Sequence, residues 1–191
     1  MANQHSRPPL YRAHPWHGVA LDRRTPEFVT CYIEIVPSDT VKYEVDQASG
    51  YLRVDRPQRY SNVCPTPYGF LPQTICGPLV AERSTSRIGR HDLRGDGDPL
   101  DICVLTERAI AYADILLTAA PTGGLRLVDE GEVDDKIIAV LEEDGVFGPL
   151  CEIFQCPEVI LDRLRHYFLT YKADPEEKPS GDRHDRGNLW P

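Results

Sequence analysis

The chain has no CxxC pair: Cys31, Cys64, Cys76, Cys103, Cys151 and Cys156 are scattered along its 191 residues. That spacing suggests neither a zinc knuckle nor a disulfide framework, and it reads as reduced thiols packed like small hydrophobes. His14 and His17 have an HxxH spacing but no Cys or carboxylate cluster beside them, so they read as surface or packing residues, not ligands. No stretch approaches the roughly 20 apolar residues that a membrane span needs. The opening MANQHSRPPLYRAHPW lacks the apolar core of a signal peptide, so the expected location is the cytoplasm, with no membrane partner. Basic residues are in the minority, 21 against 30 acidic, for a formal net charge of −9. This balance opposes a generic grip on nucleic-acid phosphates, which rewards clustered Lys and Arg, whereas concentrated acid suits divalent cations. What remains, 41% hydrophobic and 27% charged, fits one globular domain over 1–191.

Residues 1–26 are rich in Pro, Arg and His and follow neither period 2 nor period 3.6, so they are expected to form an arm laid over the domain. The pattern sharpens at Phe28. In FVTCYIEIV (28–36), Val29, Cys31, Ile33 and Ile35 share one strand face, and Tyr32 and Glu34 share the other. VKYEV (41–45) alternates again, and DQASG leading into YLRVD (51–55) predicts a hairpin with Arg56 at its exit. Pro57, Pro65, Pro67, Gly69, Pro72, Gly77 and Pro78 then predict loop, and AERSTSRIGRHDLRG (81–95) reads as an exposed, mobile insertion. Alternation returns in DICVL (101–105), DILLTAAP (114–121), LRLVDEGEV (125–133) and KIIAVL (136–141), with Thr122-Gly123-Gly124 as a turn. Several short strands in a row suggest a barrel. Pro157 is placed to open a helix in which Ile160, Leu164, Tyr167, Phe168 and Tyr171 recur at helical spacing. Asp174-Pro175 should end it, and the tail 173–191 reads as poorly ordered.

The densest chemical signal is Asp96-Gly97-Asp98-Pro99-Leu100-Asp101, three carboxylates in six residues before an apolar strand. Such crowding costs repulsion unless cations bind, and magnesium, a hard ion that prefers oxygen and keeps several waters, suits a few carboxylates at a barrel mouth. Asp129 and Asp134 add two more in VDEGEVDDK (128–136), and Glu34 faces out of its strand. Any one of these segments alone reads as a solvated acidic turn; together they favour cations. An EF-hand loop starting at Asp96 would use Glu107, but Asp101 replaces the required Gly and Ile102 to Leu105 reads as strand.

The hexapeptide at 96–101 resembles the signature of the family I soluble inorganic pyrophosphatases. The resemblance continues through Glu34, Lys42-Tyr43-Glu44, Val54-Asp55-Arg56, Tyr68-Gly69, the series Asp129, Asp134 and Lys136, and Tyr171-Lys172, in the family's order over roughly 28–172. With the strand pattern it implies a mainly β (α+β) fold, an OB-like five-stranded antiparallel β-barrel with extra strands and a C-terminal helix packed outside. The catalytic part would span 27–172. The implied function is magnesium-dependent hydrolysis of pyrophosphate to two orthophosphates, with several Mg2+ per site and a homo-oligomeric assembly. By resemblance Asp96, Asp101 and Asp134 would hold one magnesium, Asp101 bridging to a second that shares a water, and Asp98 would take that water's proton. Asp129 with Asp134 would carry a magnesium arriving with substrate, and Glu34, with Glu44 through water, would support another. Lys42, Arg56, Tyr68, Tyr171 and Lys172 would grip the phosphates, and Lys136 would balance the aspartates. Alternation alone leaves Lys42 and Glu44 as a surface pair and Tyr171 as part of the helix stripe.

The chain departs from the family pattern at Cys64-Pro65-Thr66-Pro67-Tyr68-Gly69, where the family has an aromatic residue and an Asn before Tyr-Gly; losing that Tyr would weaken phosphate binding. Three rival functions follow: a nucleic-acid-binding OB module, a catalytically impaired relative serving in binding or assembly, and a hydrolase of another phosphoanhydride.

Overall fold

The structure, a computed structural model, describes residues 11–172 and 188–190. Aliphatic and β-branched runs form β1 (Val29–Ile35), β2 (Val41–Val45), β3 (Leu52–Pro57) and β4 (Tyr68–Phe70). α1 (Pro78–Ile88) and β5 (Arg94–Gly95) follow, then β6 (Asp101–Leu105), β7 (Ile115–Arg126), β8 (Val128–Asp129), β9 (Glu132–Val133) and β10 (Lys136–Leu141). α2 (Glu158–Thr170) and β11 (Asn188–Trp190) complete the described elements.

Five strands close in the order β1-β4-β6-β10-β7 and back to β1, the barrel expected from the sequence. Its pairings are antiparallel except one: β6 and β10 run parallel, Lys136 opposite Asp101. The barrel is thus mainly antiparallel, as expected, and one parallel seam is the minimum, because a ring with an odd number of strands cannot alternate direction all the way round. The hairpin β2–β3 stands outside the ring. Val45 docks it by packing with Tyr32 and Phe70.

The expected single aliphatic face of β1 is split. Val29, Cys31 and Ile33 join one core cluster, whereas Ile35 joins another that lies under α2 with Leu161, Leu164 and Phe168. The register of β1 on β4 shifts between Ile33 and Ile35, which re-aims the residues that follow. α2 buries Leu161, Leu164, Tyr167 and Phe168; Pro157 precedes its first turn, and Tyr171 closes it by donating its N–H to the Tyr167 carbonyl at 2.9 Å.

Other expectations fail locally. The span 81–95 is largely α1, begun at Pro78 and closed by Gly89 at φ +75°, followed by β5 paired with β9. Only Ala81 and Ser84 of this helix are buried, so its sequence shows no apolar stripe. Within the proline-rich stretch Tyr68–Phe70 pairs on both sides as β4. Thr122-Gly123-Gly124 is not a turn: β7 continues through it with a bulge at Thr122, and β11 lies antiparallel on the stretch from Gly124. A Cβ at Gly123 would overlap the Trp190 carbonyl, and one at Gly124 the Trp190 ring, so the two glycines are where another strand approaches closely. β11 also corrects the reading of the tail at 188–190. The expectations for 1–10, 173–187 and 191 lie outside the described residues. Of the arm, residues 11–26 contain turns and no helix or strand. All six cysteines are free and only Cys151 is exposed. Among the described residues no helix is long and apolar enough to cross a membrane.

Candidate active site

Asp101 opens β6, Lys136 opens β10 and Phe70 closes β4, and all three meet in register at one end of the barrel. A cavity of about 330 Å³ lies there. All the residues singled out from the sequence line it: Asp96, Asp98, Asp101, Asp129, Asp134 and Glu34; Lys42, Glu44, Arg56 and Lys136; Tyr68, Tyr171 and Lys172. Lys42 and Glu44 therefore face the same space as Asp98, which alternation could not decide. Tyr171 both stacks on Tyr167, centroids 5.2 Å apart, and reaches the cavity.

Backbone contacts hold the aspartate-rich loop. Asp98 N–H donates to Asp96 Oδ1 at 3.0 Å across Gly97, whose φ is +82°. Cys76 braces it from below, donating to the Asp98 carbonyl at 2.7 Å and accepting from Gly97 N–H at 3.0 Å. The second acidic segment is a tight β8–β9 turn tied at its base by the buried pair Arg126–Asp135 at 3.1 Å. This places Asp129 and Asp134 at the cavity.

Cations and carboxylates are interleaved. The buried Lys136 ammonium contacts both Asp101 and Asp134, and Tyr68 donates its hydroxyl to Asp101 Oδ2 at 2.6 Å. Burial alone would lower the Lys136 pKa, but those two carboxylates hold it well above the usual lysine range. Lys42 Nζ lies 3.0 Å from Glu44 and 3.1 Å from Asp55, and Lys172 Nζ 2.7 Å from Asp129. Arg56 pairs with Asp55 and lies over the Tyr171 ring. Glu34 is buried, among the described residues accepting only the Val45 N–H at 2.7 Å, and burial pushes its carboxyl up to about 8. Burial and neighbouring carboxylates likewise raise Asp96 and Asp98.

The cavity also contains residues that the sequence did not single out. Asp55 pairs with two of the basic residues, and its place beside Arg56 was a local signal. Trp16, Gln47 and Glu132 line the wall as well, and nothing local marked them. Cys64, in the segment expected to depart from the resemblance, is buried in the core and donates to the Thr66 carbonyl.

The donor set fits a hard cation, since every candidate ligand offers oxygen. Among the described residues no three acidic, His or Cys side chains stand together as a ready-made metal cage. Magnesium does not require one, because it binds through one or two carboxylates and completes its shell with water and phosphate oxygens.

A barrel mouth that sets carboxylates against a rim of Lys, Arg and Tyr defines an enzyme site for a polyanion that binds together with cations. Comparison with known proteins is specific. The family described as inorganic pyrophosphatase matches residues 31–186. The inorganic pyrophosphatase of Chlamydia muridarum is 57% identical over 171 residues, covering 90% of this chain and 82% of the relative. Soluble inorganic pyrophosphatase 2 of Chlamydomonas reinhardtii is 35% identical over 166 residues, covering 87% and 77%. The crystal structure of the Thermus thermophilus inorganic pyrophosphatase matches with a TM-score of 0.68 at 27% identity, covering 84% of this chain and 80% of that one. The chain belongs to the inorganic pyrophosphatase family.

Proposed function

We propose that the chain hydrolyses inorganic pyrophosphate to two orthophosphates, with magnesium as its cofactor and 27–172 as the catalytic unit. The observation that carries this is the convergence in one cavity of nine carboxylates with Lys42, Arg56, Lys172, Tyr68 and Tyr171. Asp96, Asp101, Asp134, Asp129 and Glu34 would hold the metal ions, with Glu44 in support. Bound there, magnesium supplies neutralisation of the phosphate oxygens and a water acidic enough to attack at neutral pH.

The chain's own groups do the rest. Arg56 can fork onto two phosphate oxygens, while Lys42 and Lys172 supply compact charges; their present partners Asp55, Glu44 and Asp129 keep these cations in place until substrate arrives. Tyr68 and Tyr171 donate hydroxyls. Asp98 accepts the proton as the water oxygen bonds to phosphorus and the bridging oxygen leaves with the second phosphate. Lys136 holds Asp101 and Asp134 in their ionised, inward pose. The acidic wall disfavours a nucleic-acid backbone as ligand.

The test is phosphate release from pyrophosphate, with and without millimolar magnesium, with ATP as a parallel substrate. Fast, magnesium-requiring release that spares ATP is expected. Absence of release from folded protein would overturn the reading in favour of a binding or assembly role. The working form is a cytoplasmic homo-oligomer, which a monomer in light scattering would contradict.

A further inference from the structure

The N-terminal arm and the aspartate-rich loop meet through one side chain. Gln47, in the turn after β2, donates from Nε2 to Asp98 Oδ1 at 2.9 Å. Asp98 Oδ2 takes no hydrogen bond from the described residues. Gln47 is itself held from behind. His14 Nδ1 accepts the backbone N–H groups of Trp16 at 3.2 Å and His17 at 3.3 Å, which leaves the ring proton on Nε2; that nitrogen donates to the Gln47 carbonyl at 3.1 Å. Gly50 closes the same turn at φ +73°, where a Cβ would come within 2.8 Å of the His14 ring, so turn and arm interlock.

The arm is anchored on the far side of Asp98 too. The Trp16 indole donates to the Thr74 carbonyl at 2.8 Å, and the Thr74 hydroxyl accepts the N–H of Leu100 at 3.0 Å, two residues beyond Asp98. His14 and Trp16 thus hold both flanks of the loop. A proton acceptor works only when its oxygen is held within hydrogen-bond reach of the attacking water, and a single donor on Oδ1 fixes which way Oδ2 points.

The geometry points to Gln47 as a positioning residue for the pyrophosphate reaction: its amide orients the Asp98 carboxylate so that Oδ2 receives the water's proton, and His14 keeps Gln47 in that pose. This rests on the reading of Asp98 as proton acceptor in a pyrophosphatase.

The test is a double-mutant cycle on the full chain, read by phosphate release from pyrophosphate with magnesium. Gln47→Ala lowers kcat about tenfold and leaves KM within about twofold, the size of one lost orienting hydrogen bond. Gln47→Lys, which keeps a donor at similar reach, recovers most of that loss, and His14→Ala lowers kcat in the same direction by about threefold. Added to Asp98→Ala, Gln47→Ala causes no further loss, because the group it orients is gone. If Gln47→Ala unfolds, Gln47→Met, similar in size and without a donor, takes its place with about the same loss. Unchanged kcat in a folded Gln47 variant without a donor, or an equal loss with and without Asp98, overturns the proposal while the pyrophosphatase reading stands. No release from the wild-type chain sinks both.

Discussion

Lys136 and Asp101 are direct partners across the one parallel seam of the barrel, and the lysine's ammonium contacts the aspartate's carboxylate at the cavity floor. Burying an ammonium costs several kcal/mol unless it is paired and its hydrogen bonds are met. Asp134 supplies the second partner, and the rings of Tyr68 and Phe168 lie 5.8 and 5.5 Å from the nitrogen. The barrel thus carries a fixed positive charge where its strands bring carboxylates together.

Removing that charge should expose the repulsion it masks. Lys136→Met keeps the volume but strands Asp101 and Asp134, so urea unfolding in EDTA is expected to show a loss of about 3 kcal/mol. Millimolar magnesium should recover at least about 1 kcal/mol of this by binding the folded state. A midpoint unchanged in EDTA would refute the idea that Lys136 holds the carboxylates.

Asp98 makes a different case, because its only side-chain hydrogen-bond partner among the described residues is Gln47. Asp98→Asn can still accept the Gln47 amide but is a poor proton acceptor. We expect kcat to fall at least about a hundredfold with circular dichroism and Tm unchanged. Near-normal turnover would remove Asp98 from its role.

Much of this site was legible in the sequence because its signals are local. The aliphatic runs at 101–105 and 136–141 are strands, and the aspartates at 96–101, taken together with Asp129 and Asp134, pointed to the residues that line one cavity. What stayed hidden was set by distant partners. Gly123 and Gly124 look like a turn until Trp190 crosses them, and α1 hides its helix because only Ala81 and Ser84 face inward. Gln47 carries no mark of its own, since its meaning comes from His14 on one side and Asp98 on the other. The convergence of Glu34 and Lys42 on Asp98 needed the barrel to close and the hairpin to dock, which periodicity cannot show.

Glu34 gives the clearest pH signature. Burial raises its folded pKa from 4.5 to about 8. Below pH 4.5 the carboxyl is neutral in both folded and unfolded chains and costs nothing; between 4.5 and about 8 the unfolded chain ionises while the folded one keeps its proton, so stability falls across that window and levels off above it. Glu34→Gln keeps an acceptor for the Val45 N–H and removes that charge. In EDTA the variant should match wild type near pH 4 and exceed it at pH 9 by on the order of 5 kcal/mol. Magnesium should narrow the gap if Glu34 helps to hold it. A gap that is constant with pH would show that Glu34 is ionised as easily in the folded chain as in water.

Gly69 tests how tightly β4 must approach β1 for the site to form. A Cβ there would overlap the carbonyl of Tyr32 and lie 2.9 Å from the Ile33 Cα, and both obstacles are backbone that cannot swing aside. Its neighbours are Tyr68, whose hydroxyl reaches Asp101, and Phe70, which pairs with Asp101 in register. Gly69→Ala should therefore cost about 3 kcal/mol in a urea melt and also raise KM for pyrophosphate, because separating the strands carries the Tyr68 hydroxyl away from the cavity. Gly145→Ala is the control, since its Cβ meets nothing nearer than Glu107 Oε1 at 3.6 Å, and it should stay within about 0.5 kcal/mol of wild type. If both variants melted alike, the close packing of β4 on β1 would not be what sets Tyr68 over Asp101, and the hydroxyl's position would have to come from the core beneath it, where its ring meets Phe168 at 5.6 Å.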